Sequence, residues 1–289
     1  MARVSVVMPV LNGADLLPTA FASLEAQVAD VGPFEVVVAD NGSSDGTAEV
    51  ARRHRGRLRV TVVDASERPG PAAAMNVGAA AATADQVFFM GVDDELSDGF
   101  LATVLADAAP RRIVAPRARP CSRRVPPVLY RYGAGDRIPV MEVRTPDGRR
   151  HGVPFVYNFF LIDRRAFLET GGFATDLLAG EDLDYCFVAS VAGLEVVRSP
   201  AEYRYFLRTT VRGVAHTGRS SGLAGEAVRR RWRGRYEIPR SRHLRIAGAA
   251  WRAVVRSPSR DRLWRAVFLT ARLEGAVEGR VRPGRMIRH

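Results

Sequence analysis

Four short apolar, β-branched runs open the chain: Val4 to Met8, Phe34 to Ala39, Leu58 to Val63 and Val87 to Met90. Each has the length and the apolar, β-branched composition of a buried strand, as in a parallel sheet. Between them, Asp15 to Val28, Thr47 to His54 and Pro71 to Ala82 show helical spacing or alanine-rich helix propensity. The order β-α-β-α-β-α-β predicts an α/β fold, an open, mostly parallel sheet with helices on both faces. The pattern then breaks. Pro116 to Pro154 is rich in proline, arginine and glycine, a poor helix or central strand, and is expected to be a surface excursion. Regular structure resumes with strand-like Phe155 to Ile162, helix-like Arg164 to Glu169, a glycine-rich turn, helix Glu181 to Ala192 and strand Leu194 to Val197. From Ala224 onward the pattern is arginine-rich helix. Within Arg262 to Glu278, the residues Leu263, Ala266, Val267, Thr270, Leu273 and Val277 form one stripe of an amphipathic basic helix. The expected organisation is a domain over 1–222, in halves 1–115 and 116–222, and a basic helical C-terminal extension over 223–289.

Composition changes this picture little, and charge changes it more. A chain of 289 residues with 47% hydrophobic and 26% charged residues has ample material for a core, which excludes disordered and collagen-like readings. Its cysteines, Cys121 and Cys186, form no CxxC pair, so neither a cysteine zinc site nor a stapled scaffold is expected, and a reducing cytoplasm fits. No stretch reaches the roughly 18 apolar residues of a membrane span, so the protein is expected to be cytoplasmic or peripheral on the inner face of the membrane. The formal charge of +12 is concentrated in the tail: residues 1–200 carry 21 arginines against 25 carboxylates, and residues 201–289 carry 22 against 6. Such a block is drawn to anionic phosphates. No zinc ligands, helix-turn-helix or RNP pattern accompany it, so nucleic acid is not the expected partner. The helix over 262–278 is expected to dock either on an anionic membrane surface or on the rest of the chain.

Ligands of an open parallel sheet bind beyond the carboxyl ends of its strands, and there the sequence places Pro9-Val10-Leu11-Asn12-Gly13, Asp40 to Thr47 and Gly91-Val92-Asp93-Asp94. Asp40, at a strand end, has the chemistry to accept a base N–H, which uracil and guanine both offer. Its segment also reads as a turn whose Asx and Ser side chains satisfy local backbone. Asp93 and Asp94 suit Mg²⁺ or Mn²⁺, which take one or two carboxylates plus phosphate oxygens; they equally suit the start of a helix. Gly180-Glu181-Asp182-Leu183-Asp184 begins another helix and offers a general base. His216 reads as a surface histidine or a ligand.

Taken together, these segments resemble the family 2 glycosyltransferases of the GT-A fold, over about Val4 to Ser221. The likeness rests on Val4 to Asn12, Val36 to Thr47, Gly70-Pro71-Ala72-Ala73-Ala74-Met75-Asn76-Val77-Gly78, Phe89 to Asp94, Gly171-Gly172-Phe173 and Gly180-Glu181-Asp182. It implies a Rossmann-like sheet whose first half, 1–115, binds nucleotide and whose second half, 116–222, binds acceptor. It further implies inverting transfer of a sugar from a nucleoside diphosphate donor, most simply a UDP-sugar, to a hydroxyl of a glycan, lipid-linked or small-molecule acceptor. Pro9, Val10, Asn12, Asp40, Arg68, Asn76, Val92 and Asp93 would then face the nucleotide. Asp93 with Asp94 and His216 would hold Mn²⁺ or Mg²⁺, Asp182 would be the base, and Glu181 would position it. Two departures stand out: Gly91 replaces the first acid of the family's Asp-x-Asp element, and Met75 replaces an arginine often found before the Asn of the third motif. They motivate a second reading, a catalytically degenerate nucleotide-sugar-binding protein of the same fold.

Overall fold

The computed structural model describes residues 4–121, 136–177, 179–206, 210–238, 243–257 and 260–281. Its first third alternates strands β1 (Ser5–Val10), β2 (Glu35–Asp40), β3 (Arg59–Asp64) and β4 (Gln86–Phe89) with helices α1 (Leu17–Val31), α2 (Thr47–Arg52) and α3 (Pro71–Ala81). β2 and β4 flank β1 in parallel and β3 extends β2, as the alternation of elements requires. Successive strand residues point to opposite faces, and two cores result. Val6, Met8, Val36, Val38 and Phe88 pack with Leu17, Phe21 and Leu24 of α1. Val7, Val37, Val87 and Phe89 pack with Ala72 and Met75 of α3 and with Phe160, Phe167, Phe173 and Tyr185.

The second half is more interleaved than its sequence suggests. It holds β5 (Glu95–Leu96), α4 (Phe100–Ala106), β6 (Arg112–Cys121), a hairpin of β7 (Val140–Arg144) and β8 (Arg150–Pro154), β9 (Leu161–Asp163), α5 (Arg164–Glu169), α6 (Glu181–Val191) and β10 (Glu195–Phe206). The eight-stranded sheet runs β3-β2-β1-β4-β9-β6-β10-β5, mixed rather than wholly parallel, because β9 lies antiparallel to β4 and β6, and β5 antiparallel to β10. Three expectations are corrected here. Pro116 to Pro154 is not only a surface excursion, although residues 122–135 lie outside the described residues: β6 is a central strand that runs through Pro116, and the β7–β8 hairpin follows. Pro116 is tolerated because the β6–β10 register shifts between Arg198 and Glu202, beside the missing N–H, and because β9 pairs with β6 only at Ile113 and Val114. The strand expected over Phe155 to Ile162 is confined to β9. That expected over Leu194 to Val197 continues past the irregularity at Pro200 to Phe206.

Three helices close the chain: α7 (Val211–Arg231), α8 (His243–Arg256) and α9 (Arg260–Val281). The boundary expected at 222/223 therefore falls inside α7. α9 lies on α7 through a glycine seam. A Cβ on Gly218 would meet the Phe268 carbonyl, one on Gly222 the Arg272 carbonyl, and one on Gly275 the Arg219 carbonyl, so the two backbones touch. Trp264 and Ala271 are buried on this face, and Trp264 packs with Val214. Charged pairs cross the same interface, Arg280 to the buried Glu226 at 3.4 Å and Arg219 to Glu278.

Candidate active site

Because β1, β2 and β4 are parallel, their carboxyl ends open at one edge of the sheet, and the polar loops gather there. Asp40 ends β2 in register with Val10, and its Oδ1 accepts the N–H of Ser43, three residues on, at 3.0 Å, closing the turn that follows the strand. Asn12 sits at a φ of 53°, a left-handed conformation that asparagine tolerates. Its N–H donates to Ser43 Oγ and its Oδ1 accepts the Ser44 N–H, both at 2.9 Å. Gly13 and Ala14 donate to Thr47 Oγ1 and Asp45 Oδ2, also at 2.9 Å, so the loops after β1 and β2 form one unit. Pro9 is half-buried in β1, whereas the Val10 side chain points into the core and its carbonyl accepts the Asn41 N–H at 2.8 Å.

Asn41, which the sequence reading did not single out, joins these loops to the next. Its amide donates to the carbonyls of Ala65 at 2.5 Å and Arg68 at 2.9 Å and accepts the Gly70 N–H at 2.7 Å. The Arg68 guanidinium is exposed and donates to Thr175 Oγ1 at 3.0 Å, across 107 residues of sequence. Asn76 on α3 clasps the same distant turn, donating to the Phe173 carbonyl at 2.8 Å and accepting the Phe173 N–H at 2.9 Å. Gly172 must be glycine there: its φ is +67°, and a Cβ would stand 2.5 Å from Asn76 Oδ1. The Asn76 carboxamide thus positions the Gly171–Phe173 turn.

After β4 the chain presents Val92, Asp93 and Asp94. Val92 lies against Gly13, bringing this loop beside the first. Asp93 is exposed, but Asp94 is only 6% exposed and its Oδ1 has no hydrogen-bond partner. Burial, and secondarily the Asp93 charge, push the Asp94 carboxyl up to about 8 against a stabilising Gly91 backbone hydrogen bond. A Cβ on Gly91 would stand 2.8 Å from Asp94 Oδ2 and 2.9 Å from Asp93 Oδ1. Both carboxylates therefore lie over the place left by the missing acid. Two adjacent carboxylates, one orphaned in a buried position, fit a hard divalent ion completed by phosphate and water oxygens. Among the described residues no three His, Cys, Asp or Glu side chains gather to hold a metal. His216, expected as a third ligand, stands on α7 and does not form such a cluster with Asp93 and Asp94.

The third acidic group opens α6. Gly180, at a φ of +89°, precedes it, and a Cβ there would meet the Ala224 Cβ of α7 at 2.7 Å. Asp182 is half-buried, and its Oδ1 accepts the Leu183 N–H at 2.7 Å. The protein packed around it, and then the neighbouring Glu181 charge, push its carboxyl up to about 7; burial likewise raises Glu181. Asp184 is fully buried and differently employed. Trp232 Nε1 donates to its Oδ1 at 2.8 Å, and Arg231 approaches the same oxygen at 3.2 Å while pairing with Asp176 at 2.9 Å. The end of α7 thereby fixes both α6 and the turn leading into it. The sequence reading missed Arg231 and Trp232, because nothing in their spacing reveals a buried partner 48 residues away.

The family model for Glycosyl transferase family 2 matches residues 5–171. An uncharacterized glycosyltransferase of Mycobacterium tuberculosis is 30% identical over 201 residues, which are 69% of this chain and 84% of that protein. The validoxylamine A glucosyltransferase of Streptomyces hygroscopicus subsp. jinggangensis is 28% identical over 225 residues, covering 68% of this chain and 53% of that protein. Among solved structures, a mannosyltransferase from Pyrobaculum calidifontis in complex with GDP-Man and Mn²⁺ superposes with a TM-score of 0.70 at 21% identity, covering 97% of this chain and 88% of that one. The shared architecture is the GT-A type.

Proposed function

The chain belongs to glycosyl transferase family 2 and is a glycosyltransferase, and from that premise we propose that it inverts the anomeric carbon while moving a sugar from a nucleoside diphosphate to an acceptor hydroxyl. The observation that carries this reading is Asp182: a half-buried carboxylate on the first turn of a helix, its carboxyl pushed up to about 7 by its surroundings, on the helix that follows the turn bonded by Arg68 and Asn76 at Thr175 and Phe173. A base with a pKa near the working pH is the one best suited to take a proton as a bond forms. Asp182 accepts the acceptor's hydroxyl proton while that oxygen attacks the anomeric carbon; the bond to the diphosphate breaks on the opposite face, and its electron pair leaves with the diphosphate. Glu181 keeps the Asp182 carboxyl basic through its charge.

Asp40 accepts the imino N–H of the base, uracil by preference, within the loop unit that Asn12 closes, and Pro9 and Val92 border it. Arg68 lies against the diphosphate, exchanging Thr175 Oγ1 for phosphate oxygens. Asp93 and Asp94 would hold Mn²⁺ or Mg²⁺, which when bound neutralises charge on the departing diphosphate. Calorimetric titration with UDP- and GDP-sugars, paired with assay of released nucleoside diphosphate, tests the reading. The wild type binds and consumes a donor, whereas Asp182→Asn binds it comparably and turns it over about 10²- to 10⁴-fold more slowly. Binding without consumption by the wild type would leave only the donor-binding reading.

A further inference from the structure

The helix over 262–278 was expected to offer its Leu263–Val277 stripe to a membrane or to the chain itself. The structure divides that stripe. Ala266 is buried and Thr270 accepts the Trp251 Nε1–H at 2.8 Å, so the middle of the stripe is covered by α8, while the seam with α7 uses the small residues on another side of α9. Arg262 donates to the carbonyls of Ser257 at 2.8 Å and Ala253 at 3.3 Å at the end of α8. Together these bonds make α8 and α9 an antiparallel pair and bring Val255, Leu263 and Arg265 to one end of it.

That end is unusual. Val255 is 80% exposed and Leu263 45%, Trp251 one turn back along α8 is 40% exposed although its N–H is bonded to Thr270, and Arg252, Arg256 and Arg265 are also exposed. Single exposed apolar residues are ordinary, but a nearly uncovered valine, a leucine and a tryptophan interleaved with arginines on one helical corner form a surface that water alone does not favour. We propose that the corner of α8 and α9 docks on the surface of an anionic lipid bilayer, with Trp251, Val255 and Leu263 entering the headgroup boundary and Arg252, Arg256 and Arg265 meeting lipid phosphates. Charge complementarity selects this occupant: the last 89 residues carry 22 arginines against 6 carboxylates, and an anionic leaflet attracts each basic residue held close to it. Arginine also covers apolar surface with its stem while its head stays wet, as the headgroup layer demands. Among the described residues no helix is long and apolar enough to cross a membrane, so docking is in the plane of the surface.

The test is flotation of the full chain with vesicles of phosphatidylcholine, alone or mixed with phosphatidylglycerol, at physiological salt. The wild type floats with the anionic vesicles at least about tenfold more than with the neutral ones. Val255→Asp with Leu263→Asp reduces this about tenfold, and Arg252→Glu with Arg256→Glu does likewise, while consumption of the sugar nucleotide in solution is unchanged in both, which shows that the fold is intact. Equal flotation of wild type and variants overturns the proposal. So does absence of flotation with wild-type consumption of donor intact, concentration-dependent self-association that the Val255→Asp, Leu263→Asp pair abolishes, or retention on RNA in place of vesicles.

Discussion

Asp182 and Asp94 are both acids kept protonated well above the ordinary carboxyl range by burial, and the same cause has opposite uses. In the proposed mechanism the ionised form of Asp182 does the chemistry, so kcat/KM should rise with pH through about 7 and this limb should be lost in Asp182→Asn. For Asp94 the ionised form weakens the empty fold. A group whose folded pKa is raised supports stability below its unfolded value near 3.8 and loses that support as pH rises through about 8. The melting temperature of the metal-free protein should therefore fall as pH rises from about 4 to about 8, recover on adding Mn²⁺, and fall less steeply in Asp94→Asn, where the raised Asp182 and Glu181 carboxyls still contribute a slope; this variant should gain on the order of 1 kcal/mol at the upper pH and lose the Mn²⁺ response. An unchanged Mn²⁺ response in Asp94→Asn would remove it from the metal seat. At this scale the sequence discloses where the candidate acids stand, Asp40, Asp93 and Asp182 at strand and helix ends. It does not disclose which of two adjacent carboxylates is buried without a partner, since that depends on how the chain folds back over Gly91.

At the scale of elements, α6 is held from two sides. Asn76 and Arg68 secure the turn before it, and Arg231 and Trp232 secure Asp184 on its buried face. Trp232→Phe keeps the stacking on Phe187, at a ring separation of 5.3 Å, but leaves the buried Asp184 short of a donor, and should cost about 1–3 kcal/mol in chemical denaturation while lowering kcat more than donor affinity. A loss of donor affinity alone would show that α7 does not serve the base. The βα units of the first third were readable because apolar runs report burial, except that β3, expected to be buried, is an edge strand with no fully buried residue. The later elements were not: Pro116 in β6 argues against a central strand until the shift in β10 beside it is known, and β9 takes only the last two residues of a longer apolar run, together with Asp163. The α7–α9 contact was invisible for a related reason. Hydrophobic patterning follows leucine and valine, whereas this interface is made of Gly218, Gly222, Gly275 and Ala271, whose contribution is the close approach of two backbones.

At the scale of the molecule, the basic tail is continuous with the enzyme. α7 begins before the expected boundary, its Ala224 supports the turn at Gly180, and its end grips Asp184. A chain ended after residue 222 should lose cooperative unfolding and all turnover; a folded, active product of that truncation would contradict the dependence of α6 on α7. In the proposed reaction a sugar leaves its nucleoside diphosphate with inversion under the control of Asp182. Its most direct measurement is time-resolved NMR of the anomeric proton as the protein, with Mn²⁺, consumes a nucleoside diphosphate sugar with water as the fallback acceptor. The account predicts that the anomer opposite to the donor's appears first, and that Asp182→Asn all but abolishes its appearance. A first product with the donor's own configuration, or the same rate from Asp182→Asn, would contradict it.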